Sequence, residues 1–347
     1  MVIDVHSHVV PEHFAPKPRG SDDRWPEMDH FEAGRARVMI AGRNFRTVTD
    51  QVWSVRRRLD DMDREGVAAQ VISPMPELLS YWLPLEDARA IAETVNGYIV
   101  GMIHAAKDRF YGLGMVPLQD PDAAARGLED VTRSGLLGLE VGSNVLGLSL
   151  GDTRFLPFWQ EVERRGMPVF VHALHPTMTG RFVGPEQVVN AVGFPTDTGL
   201  TIASLITSGT LEACPRLRFA FSHGGGSFPF LLPRLENAWS GAWSEGESLL
   251  PGAPPGPLRQ ALPHSPATYA RRLFYDDLVF DRRATRYLID MMGPTQLLVG
   301  TDYPFFPREQ PVGATMRSMG CAEADRAAME SENCLRFLGL HSPPNHA

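Results

Sequence analysis

The stretch Val2-Ile-Asp-Val-His-Ser-His-Val9 decides how the rest of the chain is read. Apolar residues flank Asp4, two histidines follow one residue apart, and valine then resumes. In a β-strand residues i and i+2 share a face, so His6 and His8 project together from the end of a buried strand. Two imidazoles on one side are half of a zinc-type site, because Zn²⁺ takes nitrogen ligands and needs three or four of them. Such a pair also arises by chance near an N-terminus. Whether further ligands occupy comparable positions decides between the two.

The chain has 347 residues, a length that suits either two domains or one α/β barrel with insertions. Hydrophobic residues make up 43%, enough for a large core. The net charge of −8 comes with no basic run of five or more, so nucleic acid is not an expected partner. Cys214, Cys321 and Cys334 form no CxxC pair, and their odd number argues against a disulfide framework. No stretch of about 18 apolar residues occurs, so no membrane partner is expected. The start of the chain runs directly into the His6/His8 strand and leaves no room for a signal peptide, so a cytoplasmic location is expected.

Residues 11–45 are rich in Pro, Gly, Arg and Asp without clear periodicity and read as an insertion after the first strand, a loop or a small hairpin. The recurrence of Val48, Val52, Val55, Leu59 and Met62 predicts a helix over 47–66, stopped by Gly66. Short apolar runs then alternate with helical segments. Strands are predicted at 69–74, 110–117, 136–142, 168–173, 217–223, 273–279 and 296–302. Helices are predicted near 85–106, 122–134, 154–165, 199–211, 228–239 and 283–292. Eight β–α repetitions without a break in composition point to a single parallel (β/α)8 TIM barrel over residues 1–340, with a doubly wound sheet as the alternative. The Gly/Pro/Ser-rich stretch 241–266 is a second insertion, before strand 7. Residues 321–340 read as one or two closing helices, and 341–347 as a polar tail.

More ligand-type residues do occur at strand ends. His172 closes the fifth strand, His223 the sixth and Asp302 the eighth. In such a barrel those ends converge on the catalytic face. His6, His8, His172 and Asp302 supply three nitrogens and one carboxylate, leaving room for a water whose pKa a metal would lower towards about 7. Zn²⁺ suits this set best, and Mn²⁺, Co²⁺ or Fe²⁺ are also accepted by it. His223 precedes Gly224-Gly-Gly-Ser-Phe228, where glycines allow a close backbone approach and a sharp turn into the next helix. That setting suits proton transfer beside the metal, with direct ligation by His223 as the competing assignment. Read singly, each of these residues is equally well a hydrogen-bonded core histidine or a capping aspartate. His175 falls in the loop after His172, as a supporting or surface residue. Glu140, on the fourth strand, reads as a polar residue satisfied inside the barrel, or as a base or second-metal ligand.

VHSH at 5–8, VFVHA at 169–173, FSHGGGSFPFLLPRLENAW at 221–239 and VGTDYPF at 299–305 resemble the amidohydrolase superfamily, in its decarboxylase branch. Asn44-Phe-Arg46 and Val116-Pro-Leu-Gln-Asp120 extend the likeness over nearly the whole chain. The resemblance implies a distorted (β/α)8 barrel with one catalytic zinc held by His6, His8, His172 and Asp302. It implies that His223 and Asp302 are the catalytic residues, and that Arg46 and Arg234 grip the substrate. Arg234 would cross a dimer interface, making a homodimer the active unit. Read without the family, both arginines are surface residues. A planar guanidinium fork does match the two oxygens of a carboxylate, which agrees with an acidic substrate. One departure is that Ala173-Leu-His175 intervenes between His172 and Pro176, where the family commonly places proline at once.

The expected reaction is metal-dependent, non-oxidative decarboxylation of a small unsaturated or aromatic carboxylic acid carrying amino or hydroxy groups. The same ligands would also serve a hydrolase of an amide, lactone or carbon–carbon bond. A non-enzymatic binding protein on a barrel scaffold would leave a full metal set without purpose.

Overall fold

The computed structural model describes residues 1–241 and 258–340. Most of the second insertion, 241–266, and the tail 341–347 lie outside the described residues. Eight short apolar runs pair side by side into one parallel sheet. Its strands are β1 (Val2–Val9), β2 (Val67–Pro74), β3 (Phe110–Gly114), β4 (Gly138–Gly142), β5 (Pro168–His172), β6 (Arg218–Phe221), β7 (Phe274–Asp276) and β8 (Leu297–Leu298). They follow one another in chain order around the sheet. Each parallel step requires a crossover, which the intervening helices supply. The ring closes from β8 back to β1: Val5 N donates to Val299 O at 2.8 Å and His8 N to Tyr303 O at 2.7 Å. The expected TIM-barrel architecture is therefore the observed one.

Every residue of β1 is buried. Ile3, Val5, Ala69, Val71, Leu113, Phe170, Ala220, Phe274 and Leu298 form one apolar cluster against which Leu335, Phe337 and Leu338 of the last helix (Asn333–Leu338) pack. The same face two residues further along β5 and β7 carries His172 and Asp276, since side chains alternate with period two. A hydrocarbon floor thus lies under a polar rim. The His6 ring rests on it, its centroid 5.0 Å from that of Phe170.

The helix expected over 47–66 begins later. Val55–Glu65 is helical, capped by Ser54 Oγ, which accepts from Arg57 N, and ended by Gly66 at φ 74°. Residues Arg43–Thr49 are instead the last strand of a three-stranded antiparallel sheet with Glu27–Glu32 and Arg35–Ile40. Val48 and Val52 sit in the same core cluster that Val55 packs against, so a strand followed by a turn mimicked helical spacing. The remaining helices match the expected segments to within a few residues, except that 199–211 is split into Phe194–Thr207 and Thr210–Ala213.

All three glycines after His223 have positive φ (64°, 75° and 62°). A Cβ on Gly226 would lie 2.0 Å from Pro195 O, a backbone atom that cannot step aside. Gly226→Ala is therefore expected to destabilise the protein by more than about 2 kcal/mol, combining strain at φ 62° and ψ −129°, a region side chains rarely enter, with the clash. Urea unfolding of the variant beside wild type measures this, and an unchanged midpoint would contradict the strained turn.

Candidate metal centre and active site

The ends of β1, β5 and the segment after β8 bring four side chains together. One ligand atom from each of His6, His8, His172 and Asp302 lies within 4.8 Å of all the others. His6 Nε2 and His8 Nε2 are 3.1 Å apart, and Asp302 Oδ1 is 3.1 Å from His8 Nε2 and 3.5 Å from His6 Nε2. Donors at about 2 Å from a tetrahedral ion lie about 3.3 Å from one another, so this spacing is that of a coordination shell.

The opposite edges of the rings explain their orientation. His6 Nδ1 donates to Asp276 Oδ2 at 2.7 Å, His8 Nδ1 to Pro74 O at 2.9 Å and His172 Nδ1 to Ala173 O at 2.8 Å. Carbonyl oxygens only accept, so Nδ1 carries the proton and the Nε2 lone pair points inward. His172 Nε2 is buried with no hydrogen-bond partner among the described residues. An orphaned buried acceptor beside two converging imidazole nitrogens and a carboxylate is the chemistry of a divalent cation site, and the residues present fit one.

The electrostatics agree. Burial works to discharge His6, but its bond to Asp276 and the charge of Asp302 outweigh this and lift it to about 9, while burial lowers His8 to about 4. Burial opposes ionisation of Asp302 too, yet the His8 bond and the nearby imidazoles hold its carboxyl well below the usual range. Asp276 and Asp302 thus favour positive charge at this point, either a proton on His6 or a cation bound in its place.

His223 stands outside that group but against it, its ring centroid 5.3 Å from those of His6 and His172. Its backbone takes φ 55°, the turn that the following glycines continue, and its Nδ1 is buried without a partner among the described residues. Burial lowers its pKa, favouring the neutral ring.

Three supporting residues carry no signal at the level of sequence spacing. Asp276 accepts from His6 Nδ1 with one oxygen and from Gly224 N, at 2.8 Å, with the other, joining the metal strand to the turn that holds His223. Asp4 accepts from Thr301 Oγ1 at 2.7 Å and from the backbone N–H of His6 and Thr301, which ties β1 to the segment carrying Asp302. Arg58, fully buried, donates to the carbonyl of His8 and to Gln70 Oε1, with its guanidinium over the Tyr303 ring. The one available hint was an acidic doublet, Asp276-Asp277, closing an apolar strand just as His172 does.

A cavity of about 910 Å³ opens beside the cluster, lined among others by Arg46, Glu77, Tyr81, Trp82, Leu174 and His175. Arg46 comes from the three-stranded insertion, its guanidinium 4.3 Å over the Phe305 ring, which itself stacks on His8 at 5.9 Å. His175 is more than half exposed at the mouth of this cavity. Arg234 is exposed on the helix Phe228–Trp239 and does not line the cavity. Glu140 is fully buried, with Oε2 3.6 Å from His8 Nδ1, and burial pushes its carboxyl up to about 8. Neither of its oxygens makes a well-formed hydrogen bond among the described residues, and Ser73 is the hydroxyl that interacts with its carboxyl.

Residues 3–340 match the amidohydrolase family. The chain belongs to that family. Among amidohydrolase relatives it is similar to 2-amino-3-carboxymuconate-6-semialdehyde decarboxylase of Dictyostelium discoideum, 32% identical, with 97% of this chain and 91% of that protein covered. Among solved structures, 5-carboxyvanillate decarboxylase from Sphingomonas paucimobilis superposes with a TM-score of 0.74 at 24% identity, covering 98% and 99% of the two chains. A dihydroxybenzoic acid decarboxylase from Polaromonas, solved with bound manganese and 2-nitroresorcinol, superposes with a TM-score of 0.72 at 20% identity, covering 84% and 88%. Both likenesses are to the barrel fold.

Asp276→Asn keeps the side chain's size but replaces the charged acceptor behind His6. It is expected to weaken metal retention about 10- to 100-fold, the usual cost of losing a carboxylate behind a ligating imidazole. Metal content after graded dialysis against a chelator checks this, and retention equal to wild type would remove Asp276 from the site.

Proposed function

We propose that the protein is a metal-dependent, non-oxidative decarboxylase of an unsaturated or aromatic carboxylic acid bearing amino or hydroxy groups, similar in activity to aminocarboxymuconate-semialdehyde decarboxylase. The observation that carries this reading is the convergence of three imidazole nitrogens and Asp302 beside a cavity that Arg46 lines. The decarboxylases among its relatives support it. The catalytic unit is one barrel domain over residues 1–340, working in the cytoplasm; no helix among the described residues is long and apolar enough to cross a membrane.

His6, His8, His172 and Asp302 would hold one divalent ion, with Zn²⁺ as the first choice. When bound, such an ion acts as a Lewis acid towards substrate oxygen and lowers the pKa of water. The chain's own residues do the rest. Arg46 binds a carboxylate of the substrate through its planar fork, and its stacking on Phe305 fixes the direction of that fork. As the carbon–carboxylate bond breaks, its electron pair stays on carbon and a proton must take the place of CO₂. His223, half-buried and held in its turn by the Gly224–Asp276 bond, is the group in position to hold and move that proton. Asp302 serves both as ligand and as a charge beside His223. Leu174 gives the cavity an apolar wall that limits water around the developing charge.

Arg234 would bind a second acidic group from across a homodimer interface. Its exposure on the helix after β6 suits delivery to a neighbour.

Purified, metal-replete protein is expected to release CO₂ from aminocarboxymuconate semialdehyde or a hydroxybenzoate, leaving a product lighter by CO₂ and not heavier by water. Chelation should abolish this, and His223→Ala should lower kcat by at least about a hundredfold with metal content unchanged. Absence of CO₂ release from the whole panel would overturn the decarboxylase reading. For the dimer, Arg234→Ala and His223→Ala proteins should each be nearly inactive, and refolding them together should restore activity, since a mixed dimer contains one complete site. No recovery on mixing would confine Arg234 to its own subunit.

A further inference from the structure

The residues inserted after His172 build something the metal chemistry does not use. His175 sits at φ 43°, a backbone conformation uncommon for a side chain of its size. Its ring stacks on Trp82, with centroids 4.6 Å apart and planes 23° from parallel. Its Nε2 donates to Glu77 Oε2 at 2.9 Å. Glu77 lies on the turn after β2 and is only 12% exposed, although its partner imidazole is 55% exposed. All three residues line the cavity that also holds Arg46. The other carboxylate oxygen, Oε1, takes no hydrogen bond from the described residues.

One wall of the cavity therefore offers a cation and another a fixed acceptor. We propose that Glu77, held by His175 against Trp82, is a specificity-determining residue that accepts a hydrogen bond from an amino or hydroxyl group on the substrate while Arg46 binds its carboxylate. The chemistry follows from charge. A largely shielded carboxylate with an unused oxygen gains from an N–H or O–H donor and repels a second carboxylate in the same place. Charge interaction between Arg46 and Glu77 keeps the two walls within electrostatic reach. His175 acts through Glu77 as a positioning residue: the stack fixes the imidazole and the imidazole fixes the carboxylate. The proposal rests on the acid-binding role given to Arg46, and does not need the bound acid to be decarboxylated.

The test uses the full-length, metal-loaded protein and calorimetric binding of three probes: 3-aminobenzoate, benzoate and isophthalate. Wild type is expected to bind the aminobenzoate about tenfold or more tightly than benzoate, the size of a hydrogen bond to a charged group. In Glu77→Gln that ratio should fall to within about threefold, and isophthalate should bind more tightly than to wild type. His175→Phe, which keeps a ring against Trp82 but cannot donate, should lose most of the preference, and His175→Gln, which can donate, should recover it. Far-ultraviolet dichroism and metal content confirm that each variant is folded. An unchanged ratio in Glu77→Gln, or a parallel loss of all three probes, would overturn the assignment. Failure of the decarboxylase reading is seen separately, as absence of CO₂ release from acids that still bind with this preference.

Discussion

Each of three buried imidazoles commits one nitrogen to an outward hydrogen bond, and that commitment orders the rest of the catalytic face. Asp276, the carbonyl of Pro74 and the carbonyl of Ala173 each take an Nδ1 proton, which leaves three lone pairs with nowhere to point but inward. A polar atom left unpaired in a core, as His172 Nε2 is among the described residues, is costly, typically by about 1–3 kcal/mol. The same geometry that makes the face unfavourable as an ordinary core makes it selective for a cation. Asp302 then completes the set with charge, and the surrounding scaffold exists to hold these directions.

That scaffold works by layers. Below the ligands, Phe170 and the other apolar residues of the barrel interior form a floor on which the His6 ring rests. Around them, Asp4 and Arg58 fasten the end of β1 to its neighbours through backbone groups. Above them, Arg46 arrives on a sheet that belongs to no barrel strand. The metal face and the acid-gripping residue are thus supplied by separate parts of the chain and meet through one aromatic ring, Phe305, stacked on His8 below and under the guanidinium of Arg46 above.

Much of this was legible before the fold was known, for a physical reason. A parallel barrel strand is buried on both faces, so it reads as a short apolar run, and a histidine or aspartate closing such a run stands out. His172 and Asp302 were visible on that ground. Asp276 closed a run in the same way but is one acid among 41 acidic residues, and nothing in its spacing says that it will meet an imidazole 270 positions away. The strand Arg43–Thr49 was hidden for the opposite reason. Its valine lies in the same core cluster as those of the following turn and helix, and a shared burial site produced a helical period where the backbone is extended. The pairing of His175 with Glu77 lay beyond reach, because stacking on Trp82 leaves no periodic trace.

The seam between β1 and the segment after β8 has a consequence for biosynthesis. Backbone hydrogen bonds join Val5 to Val299 and His8 to Tyr303, so the two sides of the metal face come from stretches far apart in the sequence. In synthesis His6 and His8 are added well before Asp302. Until then the early imidazoles form an incomplete chelator with no aspartate to pair with.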